Sequence, residues 1–198
     1  MISENFVILA ALIGLWGSLG YAYLTLKGRV KPNRVTFALW ALAPLVAFAA
    51  EINEGVGLLA LLTFTVGFGP LIVLIASFLN KKSYWRLKRF DYVCGGLSLL
   101  GLSLWLITGE GNLAIVFAIL ADGLAALPTI VKSYNAPKTE SWVLYFLSMI
   151  AAGITILAIQ DWTFAYYAFP IYIFLVCALI ASLVKFEIGP RLSKAGNT

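Results

Sequence analysis

Histidine is absent from this sequence, and charge is scarce: only 12% of its 198 residues are Asp, Glu, Lys or Arg, about half the share of a soluble domain. The missing histidine excludes imidazole metal sites, histidine ligation of haem and histidine-based acid–base catalysis. Cys94 and Cys177 both lie inside apolar runs, so they read as small buried hydrophobes rather than a redox or metal pair. No G-x-x-x-x-G-K-[ST] motif is present, which removes the usual cradle for nucleotide phosphates. No polar stretch is long enough to fold by itself, which excludes a soluble catalytic core carried on one anchor. Neither an enzyme nor a cofactor or metal is expected.

What the chain has is apolar surface: 62% of its residues are hydrophobic and the mean hydropathy is +0.94. Apolar runs separated by short polar breaks cover 6–26, 35–51, 56–79, 91–108, 113–132, 141–159 and 162–185. Each approaches the roughly 20 residues needed to cross a bilayer. The fold class expected is therefore an all-α polytopic membrane protein of seven transmembrane helices. The first run has no basic stretch before it and no small-residue cleavage site, so it reads as a retained helix.

Charge placement orients these spans. Lys27, Arg29, Lys31 and Arg34 lie between spans 1 and 2, and Lys81, Lys82, Arg86, Lys88 and Arg89 between spans 3 and 4. Lys132 and Lys138 follow span 5, while Lys185, Arg191 and Lys194 follow span 7. With seven spans, all 14 Lys and Arg residues fall on one side. The opposite side holds Glu4, Glu51, Glu54, Glu110 and Asp161. The positive-inside rule then makes the basic side cytoplasmic, with the N-terminus outside and the C-terminus inside a plasma (inner) membrane. The net charge of +5 reflects topology, and no nucleic-acid partner is expected.

Two halves of the chain are related at an offset of 105 residues. Lys27 maps to Lys132, Pro32 to Pro137, Thr36 to Ser141, Phe37 to Trp142, Leu39 to Leu144 and Trp40 to Tyr145; Leu74-Ile75-Ala76-Ser77 maps to Leu179-Ile180-Ala181-Ser182. The constant register matches loop polarity, prolines and aromatics together. It predicts a first three-helix repeat over 1–80, a linker with helix 4 over 81–110, a second repeat over 111–186 and a cytoplasmic tail over 187–198. An odd-numbered unit would be inverted on repetition; the intervening span restores its direction. The plan is 3+1+3 with parallel repeats, and transporters so built hold substrate near the midplane between repeats.

The segment Leu127-Pro128-Thr129-Ile130-Val131-Lys132-Ser133-Tyr134, continuing through Pro137-Lys138-Thr139-Glu140-Ser141-Trp142, resembles a PQ-loop. With the 3+1+3 plan and an outside N-terminus, the chain resembles the SWEET and PQ-loop transporter superfamily. Thr129 stands where that family has glutamine, and Tyr23-Leu24 where Pro-Gln falls in the first repeat. Of prolines in the family's kinked helices, Pro44 and Pro128 have counterparts here. The resemblance implies a small carrier working by alternating access.

Asp122 is the sharpest candidate. It lies near the centre of span 5, where a charge costs roughly 2.5–3.5 kcal/mol on insertion scales. It can bind a cation, relay a proton or hold a polar substrate; the structural alternative is a protonated carboxyl bonding between helices. Its repeat mate is Gly17, so any role is asymmetric. Trp16, Trp40 and Tyr145 are the aromatic candidates for a substrate site, the last two being repeat mates able to clamp a ligand. The alternative is packing or interfacial anchoring, which also suits Trp105, Trp142 and Trp162. Pro44, Pro70, Pro128 and Pro170 lie within spans as candidate hinges or static kinks, and Gly67 and Gly69 loosen one of those spans further. Asn33 and Asn112 read as helix caps. The function expected is a secondary transporter or facilitator of a small polar solute such as a sugar, amino acid or vitamin, with proton or cation coupling open. The alternative is a seven-helix receptor or sensor that binds ligand without moving it. Oligomeric state is not legible.

Overall fold

The computed structural model describes residues 2–53, 58, 60–108, 111–160 and 162–195, and among them it is helical with no strand. Eight α-helices follow in order: α1 Phe6–Leu26, α2 Arg34–Asn53, α3 Ala60–Leu79, α4 Arg89–Thr108, α5 Gly111–Asn135, α6 Trp142–Ala158, α7 Phe164–Lys185 and α8 Ile188–Ala195. A 3₁₀ turn, Pro137–Thr139, precedes α6. Of the residues singled out above, Glu54, Glu110 and Asp161 lie outside the described residues, as do the side chains of Glu51, Trp105, Asn112 and Lys194. Among the described residues α1, α3 and Tyr166–Lys185 of α7 are long and apolar enough to cross a membrane. In such helices every backbone group finds its partner within the segment, which is what hydrocarbon demands.

Local chemistry sets several helix ends. Gly28 takes φ 73°, the left-handed conformation that glycine adopts without a Cβ penalty. From it Gly28 N donates to Thr25 O at 3.0 Å and Arg29 N to Leu24 O at 2.9 Å, the two bonds of a Schellman stop. Asn80, beyond α3, donates from Nδ2 to Leu26 O at 2.9 Å and adds a second bond to Thr25 O at 3.2 Å, which helps satisfy the last carbonyls of α1. Asn33 Oδ1 accepts Val35 N at 3.1 Å and Thr36 N at 3.4 Å, so Asn33 caps α2 as expected. Glu187, at φ 48°, turns the chain from α7 into α8. Residues 188–195, expected as part of a tail, are therefore a short helix packed against α5 and α7.

Helix neighbours follow one order twice. Helix α3 packs on both α1 and α2, and α7 packs on both α5 and α6. Helix α1 also meets α6, and α2 meets α5, closing a ring of six; α4 lies against α5 and α2. Glycine makes the close approaches possible. A Cβ at Gly67 would stand 2.8 Å from Leu45 Cγ, and one at Gly69 would collide with the Ser18 hydroxyl. Gly67 and Gly69 thus seat α3 between α2 and α1 rather than merely loosening it. Gly17, 105 positions before Asp122, faces Leu147 of α6, where a Cβ would stand 3.2 Å from Leu147 Cβ.

The loops after α1, α3 and α5 meet at one end of the molecule. Lys31 N donates to Thr139 O at 2.8 Å and Trp85 N to Pro32 O at 3.4 Å. At the other end Ile2 N donates to Leu157 O at 3.1 Å, and Gln160 Nε2 donates to Ile2 O at 3.1 Å. The Lys- and Arg-bearing connections are thereby gathered together, and the first residues lie opposite them.

A central cavity and the polar cluster beneath it

The ring of six lines a partly open cavity of about 90 Å³, where one water needs roughly 10–15 Å³. Asp122, Trp40 and Tyr145, singled out from sequence, all line it, together with Ser18, Thr65, Phe37, Ser148 and Phe169. Trp16 is not among its residues: it is 75% exposed on α1. It shares an outward stripe with Leu12, Leu19 and Tyr23, set by the 3.6-residue period, while Ser18 and Tyr21 face inward. Pro70 and Pro170 line the cavity; Pro44 and Pro128 are buried within α2 and α5.

Asp122 is 5% exposed. Tyr172 of α7 donates its hydroxyl to Asp122 Oδ2 at 2.7 Å, and Trp40 Nε1 donates to the Asp122 carbonyl at 3.4 Å. Neighbouring carbonyls of α5 are engaged from the same side: Ser98 donates to Ala121 O at 2.6 Å and Thr36 to Ala125 O at 2.8 Å. Thr129 donates to Thr36 Oγ1 at 3.2 Å. Side-chain donors thus accumulate on the carbonyls of the turn Ala121–Ala125, just before Pro128.

Trp40 and Tyr145, 105 positions apart in sequence, touch edge-on: their ring centroids are 6.4 Å apart at 71°. That spacing leaves no slot for a ligand between the rings, so they form one continuous wall. The wall extends through Phe37, 5.6 Å from Trp40, to Tyr21, 5.4 Å from Phe37.

Beneath this wall, toward the basic loops, lies a cluster that the sequence reading missed. Glu140 Oε1 pairs with Lys132 Nζ at 2.6 Å. Its Oε2 accepts Tyr21 OH at 2.6 Å and Tyr145 OH at 3.2 Å. Lys132 Nζ also donates to the carbonyl of Lys31 and lies 5.2 Å from the Trp85 ring centroid. Lys132, placed from sequence among the basic residues between spans 5 and 6, is 1% exposed in the last turn of α5. The available sign was Glu140 itself, an acid two residues after the basic 132–138 stretch and eight residues beyond Lys132. Asn33 joins a second buried pair there, donating to Asp91 Oδ1 at 2.7 Å.

Among the described residues no three His, Cys, Asp or Glu side chains gather as a metal site. Cys94 and Cys177 are free and buried. No protein-family model, curated protein or solved structure matches the chain. The geometry therefore defines a class only, an all-helical protein with membrane-spanning character and an internal cavity that holds one carboxylate.

Proposed function

We propose that the chain is a small secondary transporter or facilitator of the SWEET and PQ-loop type, moving a small polar solute by alternating access. The observation that carries this reading is the position of Asp122 beside the Trp40–Tyr145 wall in a cavity lined by both helix triads. Carriers built from parallel repeats place substrate at such an interface near the midplane. The order α1–α3–α2 and α5–α7–α6, with the offset of 105 residues, supports a 3+1+3 plan of seven spans. The clustering of basic loops supports a cytoplasmic C-terminus and an outside N-terminus in an inner membrane. The prolines of α2, α3, α5 and α7 are the proposed hinges about which the triads rock.

The test is uptake into proteoliposomes across a panel of sugars, amino acids, amines and vitamins. Saturable, protein-dependent flux of any member supports the carrier. Tight binding with no flux of the bound compound favours a receptor.

A further inference from the structure

All but one of the side-chain hydrogens that face the cavity are already committed, the Ser148 hydroxyl being the exception. Ser18 Oγ donates to Gly14 O at 3.1 Å and Thr65 Oγ1 to Leu62 O at 2.9 Å, both within their own helices. Tyr145 OH is given to Glu140, Tyr172 OH to Asp122 and Trp40 Nε1 to the Asp122 carbonyl. Ser148 is the one lining hydroxyl with no bond among the described residues. What remains turned inward is acceptor: the Asp122 carboxylate, hydroxyl lone pairs and aromatic faces. No Lys or Arg lines the space, and the ion pair of the described residues, Lys132–Glu140, stands ten residues from Asp122, roughly 15 Å along α5.

We infer that the cavity selects a small organic ammonium ion with an apolar body and no carboxylate. The inference rests on the carrier reading only for the direction in which the ligand travels; the binding chemistry stands on the cavity alone. An ammonium group supplies three donors to a space that offers acceptors, and it neutralises a buried carboxylate that has no basic partner. The rings of Trp40, Phe37 and Phe169 present apolar surface and negative faces, which attract a cation and accept its alkyl portion. A sugar needs both donors and acceptors around its hydroxyls and finds almost none of the former. An amino acid adds a carboxylate that meets Asp122 with nothing to pair it. A bound metal ion would find one carboxylate in place of a ligand cluster.

The experiment is calorimetric binding to the purified full chain in detergent, with four probes: 3-methylbutylamine, 3-methylbutanol, leucine and glucose. The amine is expected to bind at least about tenfold tighter than the alcohol, with leucine and glucose weaker still. Asp122→Asn is expected to bring amine and alcohol to similar affinity, whereas Tyr172→Phe keeps the preference for the amine. Equal binding of amine and alcohol by the unaltered chain overturns the inference, as does tighter binding of leucine or glucose. An Asp122→Asn protein that still prefers the amine does so too. The probe series on the unaltered chain decides even where Asp122→Asn fails to fold. Amine binding without amine flux in liposomes keeps this inference and removes the carrier; glucose flux without amine binding does the opposite.

Discussion

Lys132 and Glu140 form an ion pair of 2.6 Å whose two side chains are withdrawn from solvent, at the end of the molecule where other basic residues are exposed. Tyr145 connects this pair to the cavity, because its ring lines the space while its hydroxyl reaches Glu140. Tyr21 and the Lys31 carbonyl tie the same pair to the first triad and its loop. One acid therefore holds α1, α5 and α6 together immediately below the cavity.

Glu140→Gln is expected to destabilise the chain strongly, because it strands a buried ammonium; losing one partner of such a pair costs about 3–5 kcal/mol. Lys132→Met combined with Glu140→Leu restores part of this loss, the remainder being the stranded hydroxyls of Tyr21 and Tyr145. Reversible unfolding in mixed micelles measures both. A double variant as unstable as Glu140→Gln would show that the charge is not the source of the penalty.

Glycine positions separate close packing from propensity. Gly67→Ala and Gly69→Ala are expected to lower the melting temperature by several degrees, since the added methyl meets Leu45 or Ser18. Gly20→Ala and Gly96→Ala meet nothing within 4 Å and are expected to be neutral or slightly stabilising through helix propensity. Thermal melts of the four single variants check the ranking.

Legibility from sequence followed how far each residue's environment depends on its own helix. Asp122 is recognisable as the acid inside a long apolar run, and Trp40 and Tyr145 were paired from their spacing of 105 residues; both line the cavity. The edge-on contact of the two rings is not recognisable that way, because ring orientation is set by packing between α2 and α6. Lys132 reads as a loop charge until Glu140 folds back to pair with it and Tyr21, 119 positions from Glu140, donates to that same acid. Trp16 shows the opposite limit: its chemistry suits a ligand, but the helical period of α1 turns it outward. The short helix α8 was hidden by the composition of Ile188–Ala195, in which glycine, proline and two basic residues read as tail.

Topology gives an independent prediction. Reporter fusions after Lys82 and after Lys194 are expected on the cytoplasmic side, because the loops following α1, α3 and α5 join at one end and carry the basic residues. A periplasmic signal at either position contradicts the orientation.

The bond from Tyr172 to Asp122 is expected to be a charge-assisted one, worth about 1.5–3 kcal/mol. Tyr172→Phe and Asp122→Leu should each lower the melting temperature, and the double variant should lose much less than the sum. Additive losses in this double-mutant cycle would mean that the two groups do not depend on one another in the folded protein.

The central claim is that the Asp122 carboxylate serves ligand movement rather than only helix packing, and one set of variants separates the two roles. Asparagine keeps the size and still accepts the Tyr172 hydroxyl, while removing the titratable charge. Proteoliposome flux of the compound carried by the unaltered chain, measured across pH with Asp122→Asn, Asp122→Ala and Asp122→Leu and with melts in parallel, is the decisive measurement. The account predicts that Asp122→Asn stays folded and inserted but loses flux or its response to pH. Unchanged flux and pH response in Asp122→Asn, with lowered melting confined to the alanine and leucine variants, would contradict it.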